Sequence, residues 1–354
     1  METIRKKLFS WLAGNTLSAF QAYGIVNLHE EYEPLIKRPV LVSTLALPAG
    51  DCAWHSSSSG GCSVCGFNSK HGEKAKLTRG GKPWPNFAMR ALIQFNKKIV
   101  SGLTPEVLSV FHGGSFFNPD EIPLSIQRKI VDIFFRSRNY KKLFLESRPE
   151  FITNERLALL TKRKTSKEKF VQVGIGLESS NDYVRNGIIN KGMALDSFLT
   201  AVKTLKEMGI STFAYIFLKP HRLTERQAIE DAVSSASFCF ENGVDVVSFS
   251  CAIVQKGTIL HDLWSDDKYR PPWLWSVIEV VLRAREIADK YGFHIRLGSF
   301  TDDPPPVAIP YNCPKCSSRT EQYLESFRKT NIIEHLKKID DCECKSSWLE
   351  EVGK

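Results

Sequence analysis

Short apolar runs alternate with helical patterns along this chain, and that alternation limits its fold more than any single residue does. PVLVSTLAL at 39–47 reads as a buried strand, 86–100 has helical periodicity, and VLSVFHGG at 107–114 is again a strand. The helix LSIQRKIVDIFFRS at 124–137 leads to the strand KKLFLESRP at 141–149, then to a helix at 153–163 with Thr153 or Asn154 as N-cap. The strands FVQVGIGLE at 170–178, STFAYIFLKP at 211–220, VDVVSFSCAIV at 244–254 and FHIRLGSF at 293–300 continue the series. Helices at 195–208, from Thr224 to about Asn242, and at 273–292 separate them. Apolar strands linked through helices imply a parallel sheet covered by those helices. About six such units predict an α/β fold, a partial (β/α)6 barrel whose functional groups stand at the C-terminal strand ends. Residues 1–38 are expected to add a helical segment with a basic end, 39–300 to form the barrel, and 301–354 to form a small Cys-rich extension that begins with DDPPPVAIP.

Cysteine placement is the next constraint. Of nine cysteines, seven fall into two groups: Cys52, Cys62 and Cys65, then Cys313, Cys316, Cys342 and Cys344. Clustered thiols in odd number point to metal sites, not to a disulfide framework. Cys239 and Cys251, alone in apolar surroundings, read as core residues. The first group lies in the Gly- and Ser-rich loop after the first strand of the barrel. Three thiolates can bind three irons of a [4Fe-4S] cubane and leave the fourth iron open for the amino and carboxylate groups of S-adenosyl-L-methionine. A zinc site completed by His55 or His71 is the other reading of that loop. The second group, two close pairs, fits a closed tetrahedral Zn2+ site or an auxiliary [4Fe-4S] cluster.

No stretch is apolar and long enough to span a bilayer. METIRKKLFSWLAG lacks the continuous apolar core and cleavage site of a signal peptide, so a cytoplasmic protein without a membrane partner is expected. The net charge of +9 favours a polyanionic partner such as RNA, with Arg5, Lys6, Lys7, Lys37 and Arg38 as contacts.

GGCSVCGF, HGGSFFNPDEIP, ESRPEFIT, GLESSNDYVRNGIINKG, YIFLKP, the VQKGT ending at Thr258, YRPPWLWSV, NCPKC and DCECKSSW together resemble the radical subunit family of archaeosine synthase. This family is part of the Elongator-catalytic-subunit-like group of radical S-adenosylmethionine proteins. The resemblance spans about residues 39–350. It implies a tRNA-modifying lyase. After a partner subunit has attached lysine to a 7-deazaguanine base, the radical subunit cleaves a carbon–nitrogen bond in the lysine moiety, leaving the formamidine of archaeosine. The implied partners are tRNA, the lysine-transferring subunit and an external electron donor. A radical enzyme of the same scaffold with a small-molecule or peptide substrate, or a non-catalytic metal-binding module of a complex, are the competing functions.

Site residues follow from position at strand ends. Cys52, Cys62, Cys65 and Glu178 are the catalytic candidates, Glu178 to hold a substrate amine or a ribose hydroxyl. Phe67 is placed against the adenine. Two glycines alone read as an ordinary strand-to-helix turn, and it is the resemblance that places Gly113, Gly114 and Ser115 of HGGS at the amino group of S-adenosyl-L-methionine. Glu146 and Arg148 would hold the cofactor's methionine and ribose parts, or else form a structural salt bridge. Tyr215 and Lys219 could line the pocket, but their strand face is open from sequence. Asn181 and Asp182 suit a helix cap, and Lys191 is grouped with Glu178. YRPPWLWS reads either as an aromatic lip or as the start of the long helix.

Overall fold

In the computed structural model, described for residues 26–67, 83–99, 103–161, 168–302, 304–339 and 341–353, eight strands form one sheet in chain order. β1 (Val26–Glu33) runs antiparallel to β2 (Arg38–Ala46). β3 (Val107–Phe111), β4 (Lys142–Glu146), β5 (Phe170–Glu178), β6 (Ser211–Leu218), β7 (Val246–Cys251) and β8 (His294–Leu297) follow, each parallel to the strand before it. The crossovers contain α1 (Asn86–Ile99), α2 (Leu124–Arg136), α3 (Asn154–Thr161), α4 (Leu195–Glu207), α5 (Glu225–Glu241), the short α6 (Ile259–Ser265) and α7 (Leu274–Tyr291). After β8 come α8 (Ser317–Thr330), α9 (Glu334–Lys337) and α10 (Cys344–Gly353). The sheet curls into a half-barrel.

The period of two along each strand sorts side chains between its two faces. On β5, Val171, Val173, Ile175 and Leu177 are buried under the helices, while Gly174, Gly176 and Glu178 face the interior. On β6, Ala214, Ile216 and Leu218 belong to the outer layer and Tyr215 to the interior. The helix layer therefore packs an aliphatic surface, and the concave face keeps room and polar groups. Burying the outer face stabilises the two-layer packing by about 25 cal/mol per Å² of apolar surface removed from water.

The described end of the 1–38 segment, Val26–Glu33, is a strand and not a helix. Its sequence VNLHEEYE lacks apolar alternation because its inward face carries charge. Glu33 meets Lys142 of β4 at 2.6 Å, both fully buried, and Glu31 pairs with Arg296 of β8. Residues 1–25, with Arg5, Lys6 and Lys7, lie outside the described residues, as does His71. Lys37 and Arg38 precede or begin β2, at the opposite end of the strand from the cysteine loop, and Arg38 is bound to Glu106 by two hydrogen bonds of 2.6 and 2.8 Å.

The C-terminal extension shares the barrel's core: Leu324, Phe327, Leu336 and Trp348 belong to the same buried cluster as Trp275 and Val281. Three indoles fasten it. Trp273 donates to Glu351 at 2.8 Å, Trp348 to Ser276 at 2.8 Å, and Trp275 to the Cys344 sulfur at 3.4 Å. The YRPPWLWS segment thus starts α7, with Trp273 at its N-cap. Among the described residues no helix is long and apolar enough to cross a membrane.

Candidate active site

The loop that follows β2 folds over the C-terminal ends of β3, β4, β5 and β6 and encloses with them a cavity of about 270 Å³. Cys52, Cys62, Cys65 and Phe67 line it from the loop. Gly113, Gly114, Glu146, Arg148, Glu178 and Tyr215 line it from the strand ends, and Lys191 joins them. Ser115 lies just behind, fully buried, and its Oγ accepts the Arg148 backbone N–H at 3.1 Å. Among the described residues no fourth cysteine lines this cavity, and His55 does.

Two supports that the sequence pattern does not mark hold the loop. The first is Glu121. Its buried carboxylate accepts from the backbone of Ser115 at 2.6 Å and of Ala53 at 3.0 Å, from Asn118 Nδ2 at 3.0 Å, and meets His112 Nε2 at 3.0 Å. One acid thereby ties the HGGS turn to the residue after Cys52, and His112 serves it as a hydrogen-bond partner. The second is the 188–192 segment. Asn190 donates to the carbonyls of Ser59 and Gly61, at 3.0 and 2.7 Å, and Trp54 Nε1 donates to the Asn190 carbonyl at 2.7 Å. Ser63 binds the Ile189 and Ile188 carbonyls through its N–H and hydroxyl, at 2.8 and 2.9 Å.

Two glycines are required sterically. Gly113 has φ 73°, and a Cβ there would stand 1.8 Å from the Phe67 ring. Gly192 has φ 57°, and a Cβ there would stand 2.1 Å from the Trp54 ring. Both pair the left-handed backbone with a close aromatic contact that only glycine allows.

The cavity's electrostatics are uneven. Burial lifts the Glu146 carboxyl to about 7, although the Tyr215 hydroxyl donates to it at 2.5 Å. Glu178, at φ 66° where the β5–β6 register shifts, accepts from Lys191 at 2.7 Å. Burial would lower Lys191, but the Glu178 carboxylate outweighs it and holds the ammonium charged. Burial pushes the Cys62 thiol up to about 11, against the attraction of the Lys191 ammonium.

The Arg148 guanidinium is engaged within the protein. It donates to Glu150 at 2.5 Å and to the carbonyls of Lys191 and Gly192 at 2.9 and 2.8 Å, with the Trp54 ring 5.3 Å from its carbon. Lys219 is not brought into the cavity and pairs instead with Glu225. Asn181 accepts from the Tyr183 and Val184 N–H groups, a cap of the following turn. Fully buried Arg185 donates to the carbonyls of Ser179, Ser180 and Met193, and so shapes the turn that carries Lys191.

On the far side of α7 the second cysteine group comes together. Cys313 Sγ lies 3.7 Å from Cys316 and 3.6 Å from Cys342, and Cys316 lies 3.6 Å from Cys344. All four sulfurs are within 4.8 Å of one another. Cys239 and Cys251 are buried alone in the core.

The archaeosine synthase subunit beta of Methanosarcina acetivorans is 31% identical to this chain over 310 residues, which cover 86% of the chain and 83% of that protein. The chain belongs to the archaeosine synthase subunit beta family. A second member, from Thermococcus kodakarensis, is 29% identical over 278 residues, 75% of this chain and 81% of that protein. No family model matches the chain. Among solved structures, Streptococcus suis SuiB bound to S-adenosylmethionine has the same fold, with a TM-score of 0.50 and 12% identity over 72% of this chain and 50% of that one. The chain is therefore an enzyme subunit of that family, with the fold of SuiB.

Proposed function

We propose that this enzyme cleaves a carbon–nitrogen bond in a lysine-modified 7-deazaguanine of tRNA, forming archaeosine, after a lysine-transferring partner subunit has acted. The observation that carries the reading is the convergence of three cysteines, and no fourth among the described residues, with Glu146 and the Glu178–Lys191 pair around one cavity. That donor set fits a [4Fe-4S] cluster held by Cys52, Cys62 and Cys65 with one iron left for S-adenosyl-L-methionine. Gly113, Gly174 and Gly176 leave the space beside it without side chains. When bound, the pair supplies reductive cleavage of S-adenosyl-L-methionine and hence a 5′-deoxyadenosyl radical for hydrogen abstraction.

The chain's own residues perform the rest. Phe67, at the Gly113 turn, offers a flat apolar surface for the adenine. Gly113 and Gly114 bring backbone carbonyls to the cofactor's amino group, with Ser115 fixing the turn. Glu146, with its proton shared near neutral pH and oriented by Tyr215, binds a hydroxyl or an ammonium of the ligand. Glu178 holds Lys191 in the cavity wall, where it is placed to accept a substrate amine in exchange. Arg148 acts on the cofactor through the wall it holds.

The second cysteine group is assigned a structural Zn2+. Arms of about 2.3 Å in a tetrahedron put sulfurs about 3.8 Å apart. The observed 3.6–3.7 Å supports zinc over a cubane, whose bulk would spread its four ligands farther. The relatives' designation as a beta subunit supports a partner subunit, and their product supports tRNA.

The test is anaerobic reconstitution with iron and sulfide, then assay of 5′-deoxyadenosine with unmodified and lysine-bearing tRNA. Formation that depends on the lysine-bearing tRNA and on each of Cys52, Cys62 and Cys65 is expected. Equal formation with both tRNAs would direct the enzyme to another substrate.

A further inference from the structure

The chain's positive charge is not spread evenly. Residues 70–142 hold 14 Lys and Arg against 5 Asp and Glu, an excess that equals the whole formal charge of +9. In the described part of that stretch, much of the charge stands on the outer wall of the half-barrel. α1 has no acidic residue, and α2 has one, Asp132. α2 buries Ile126, Gln127, Ile130, Val131 and Phe134, and leaves Arg128 and Arg136 exposed with Lys129 half-buried beside them. Arg138 is exposed in the turn that follows, and Arg90 is exposed on α1. A cleft of about 330 Å³ opens here, with Gln94 of α1 on one side and Lys129, Arg136 and Arg138 on the other.

These cations are not committed within the fold. Among the described residues no hydrogen bond or ion pair engages Arg128, Lys129, Arg136 or Arg138. On other outer helices the cations pair with acids: Lys203 with Glu207, Arg283 with Glu230, and Arg285 with Asp289. Nor are Arg136 and Arg138 needed to cap α2. Lys169 already donates to the carbonyls of Phe134 and Phe135, at 2.6 and 3.2 Å, and to that of Ser137, so the negative end of the helix has its counter-charge. Like charges gathered with so little compensation repel one another, and a polyanion relieves that repulsion.

We propose that this α1–α2 wall seats the phosphate backbone of the enzyme's tRNA. The inference rests on tRNA as the substrate, as proposed above. A free phosphate would use only the cleft, but the cations run beyond it. Arg128 and Arg136 are eight residues apart, about 12 Å along α2, and Arg90 adds a charge on the neighbouring helix. Such a strip suits repeated phosphates, whose contacts position a nucleic acid without reading its sequence. The strip also leads to the site. The Trp84 N–H binds the Pro48 carbonyl at 2.9 Å just before α1, and Glu121 holds the cysteine loop just before α2, so both helices start at the cavity end of the barrel. A polymer seated on the wall can therefore present one base at the cysteine cavity.

Titration of the full chain with an unmodified tRNA transcript, from about 50 to 200 mM salt, decides it. Two variants of equal charge are compared with wild type. One carries Arg128→Gln, Lys129→Gln, Arg136→Gln and Arg138→Gln; the other carries Lys203→Gln, Arg226→Gln, Lys268→Gln and Lys290→Gln on other faces. None of these side chains lines the cysteine cavity, so iron content should be the same in all three proteins. The first variant is expected to bind about 10- to 100-fold more weakly, with a salt slope smaller by about two to four, while the second matches wild type. Patch-dependent binding by an enzyme that forms no 5′-deoxyadenosine with lysine-bearing tRNA supports the surface and counts against the proposed reaction instead. Equal losses in both variants, an unchanged first variant, or no tRNA binding by wild type would overturn the surface. So would intact tRNA binding in a first variant that no longer captures the lysine-transferring subunit, since the wall would then be a site for an acidic protein face.

Discussion

Arg296 on β8 and Glu31 on β1 form an ion pair that joins the two edge strands of the sheet. Ladder hydrogen bonds stop at those edges, so this pair braces the open side of the half-barrel. Burial alone would raise the Glu31 carboxyl, but the Arg296 guanidinium and His29 hold it at about 2. An unfolded glutamate titrates near pH 4.3. The folded value is therefore depressed, and the stability it confers is full above about pH 4.3 and lost as the pH falls towards 2. Glu31→Gln should cost ~1–3 kcal/mol at pH 6. The gap to wild type should narrow by pH 3 in urea titrations. A gap that does not depend on pH would mean that the charge is irrelevant.

Glu146 has the opposite sign. Burial raises its folded value to about 7, so the folded state keeps a proton that the unfolded chain has already released. Stability then falls as the pH rises from about 4.3 through 7. Glu146→Gln, which retains an acceptor for Tyr215 without the charge, should be more stable than wild type at pH 8 by roughly 1–3 kcal/mol. The two should converge near pH 4.5. Chemical denaturation at the two pH values measures this, and a variant less stable at pH 8 would refute the assignment.

Arg148 should matter to the cysteine loop before it matters to cofactor affinity. Its hydrogen bonds to the Lys191 and Gly192 carbonyls clamp the segment that Trp54 and Asn190 tie to the loop. Arg148→Ala removes these two charged hydrogen bonds, each worth about 1.5–3 kcal/mol, together with the one to half-exposed Glu150. Lower thermal stability and less iron retained per chain after reconstitution are expected. Unaltered iron content with S-adenosyl-L-methionine binding abolished would return Arg148 to the ligand.

How far the sequence could be read depends on which groups face where. β5 was legible to the residue because Val171, Val173, Ile175 and Leu177 form the helix-facing layer, while the strand is bounded by turn residues. β1 was not, because Glu31 and Glu33 face a polar interior and break the apolar pattern that identifies a strand. The glycine turns and cysteines were legible as loop chemistry, and the cavity gathers them. The face of Tyr215 was left open, since alternation fixes a period without an origin, and Glu146 supplies that origin across β5. Glu121, Asn190 and Arg185 fall within segments that carry the resemblance, but their roles were not legible. Each acts by binding backbone groups distant in sequence or hidden in loops, and neither spacing nor composition encodes that. Arg148 was seen, but its fork is filled by carbonyls 43 and 44 residues away, a partner choice that only the fold reveals.

The last prediction concerns zinc removal. The four sulfurs join the start of α8 to the start of α10, and Trp275 of α7 donates to one of them. Without a metal, protonated thiols at 3.6–3.7 Å gain little from one another, and thiolates there would repel. If zinc holds the group as proposed, the folded arrangement depends on that cation, and its binding free energy becomes folding free energy for the extension. Because Trp348 and Leu336 share the barrel's core, loosening should propagate into α7 and not stay in the tail. Cys342→Ser is expected to abolish the one zinc per chain while the iron bound by the first cysteine group stays unchanged. It should also lower the melting temperature and expose amides of both α10 and the first turns of α7 to hydrogen exchange. Metal analysis with about eight irons and no zinc in the wild-type protein would overturn the assignment in favour of a second cluster. Exchange confined to α10 would show that the extension is only appended to the barrel.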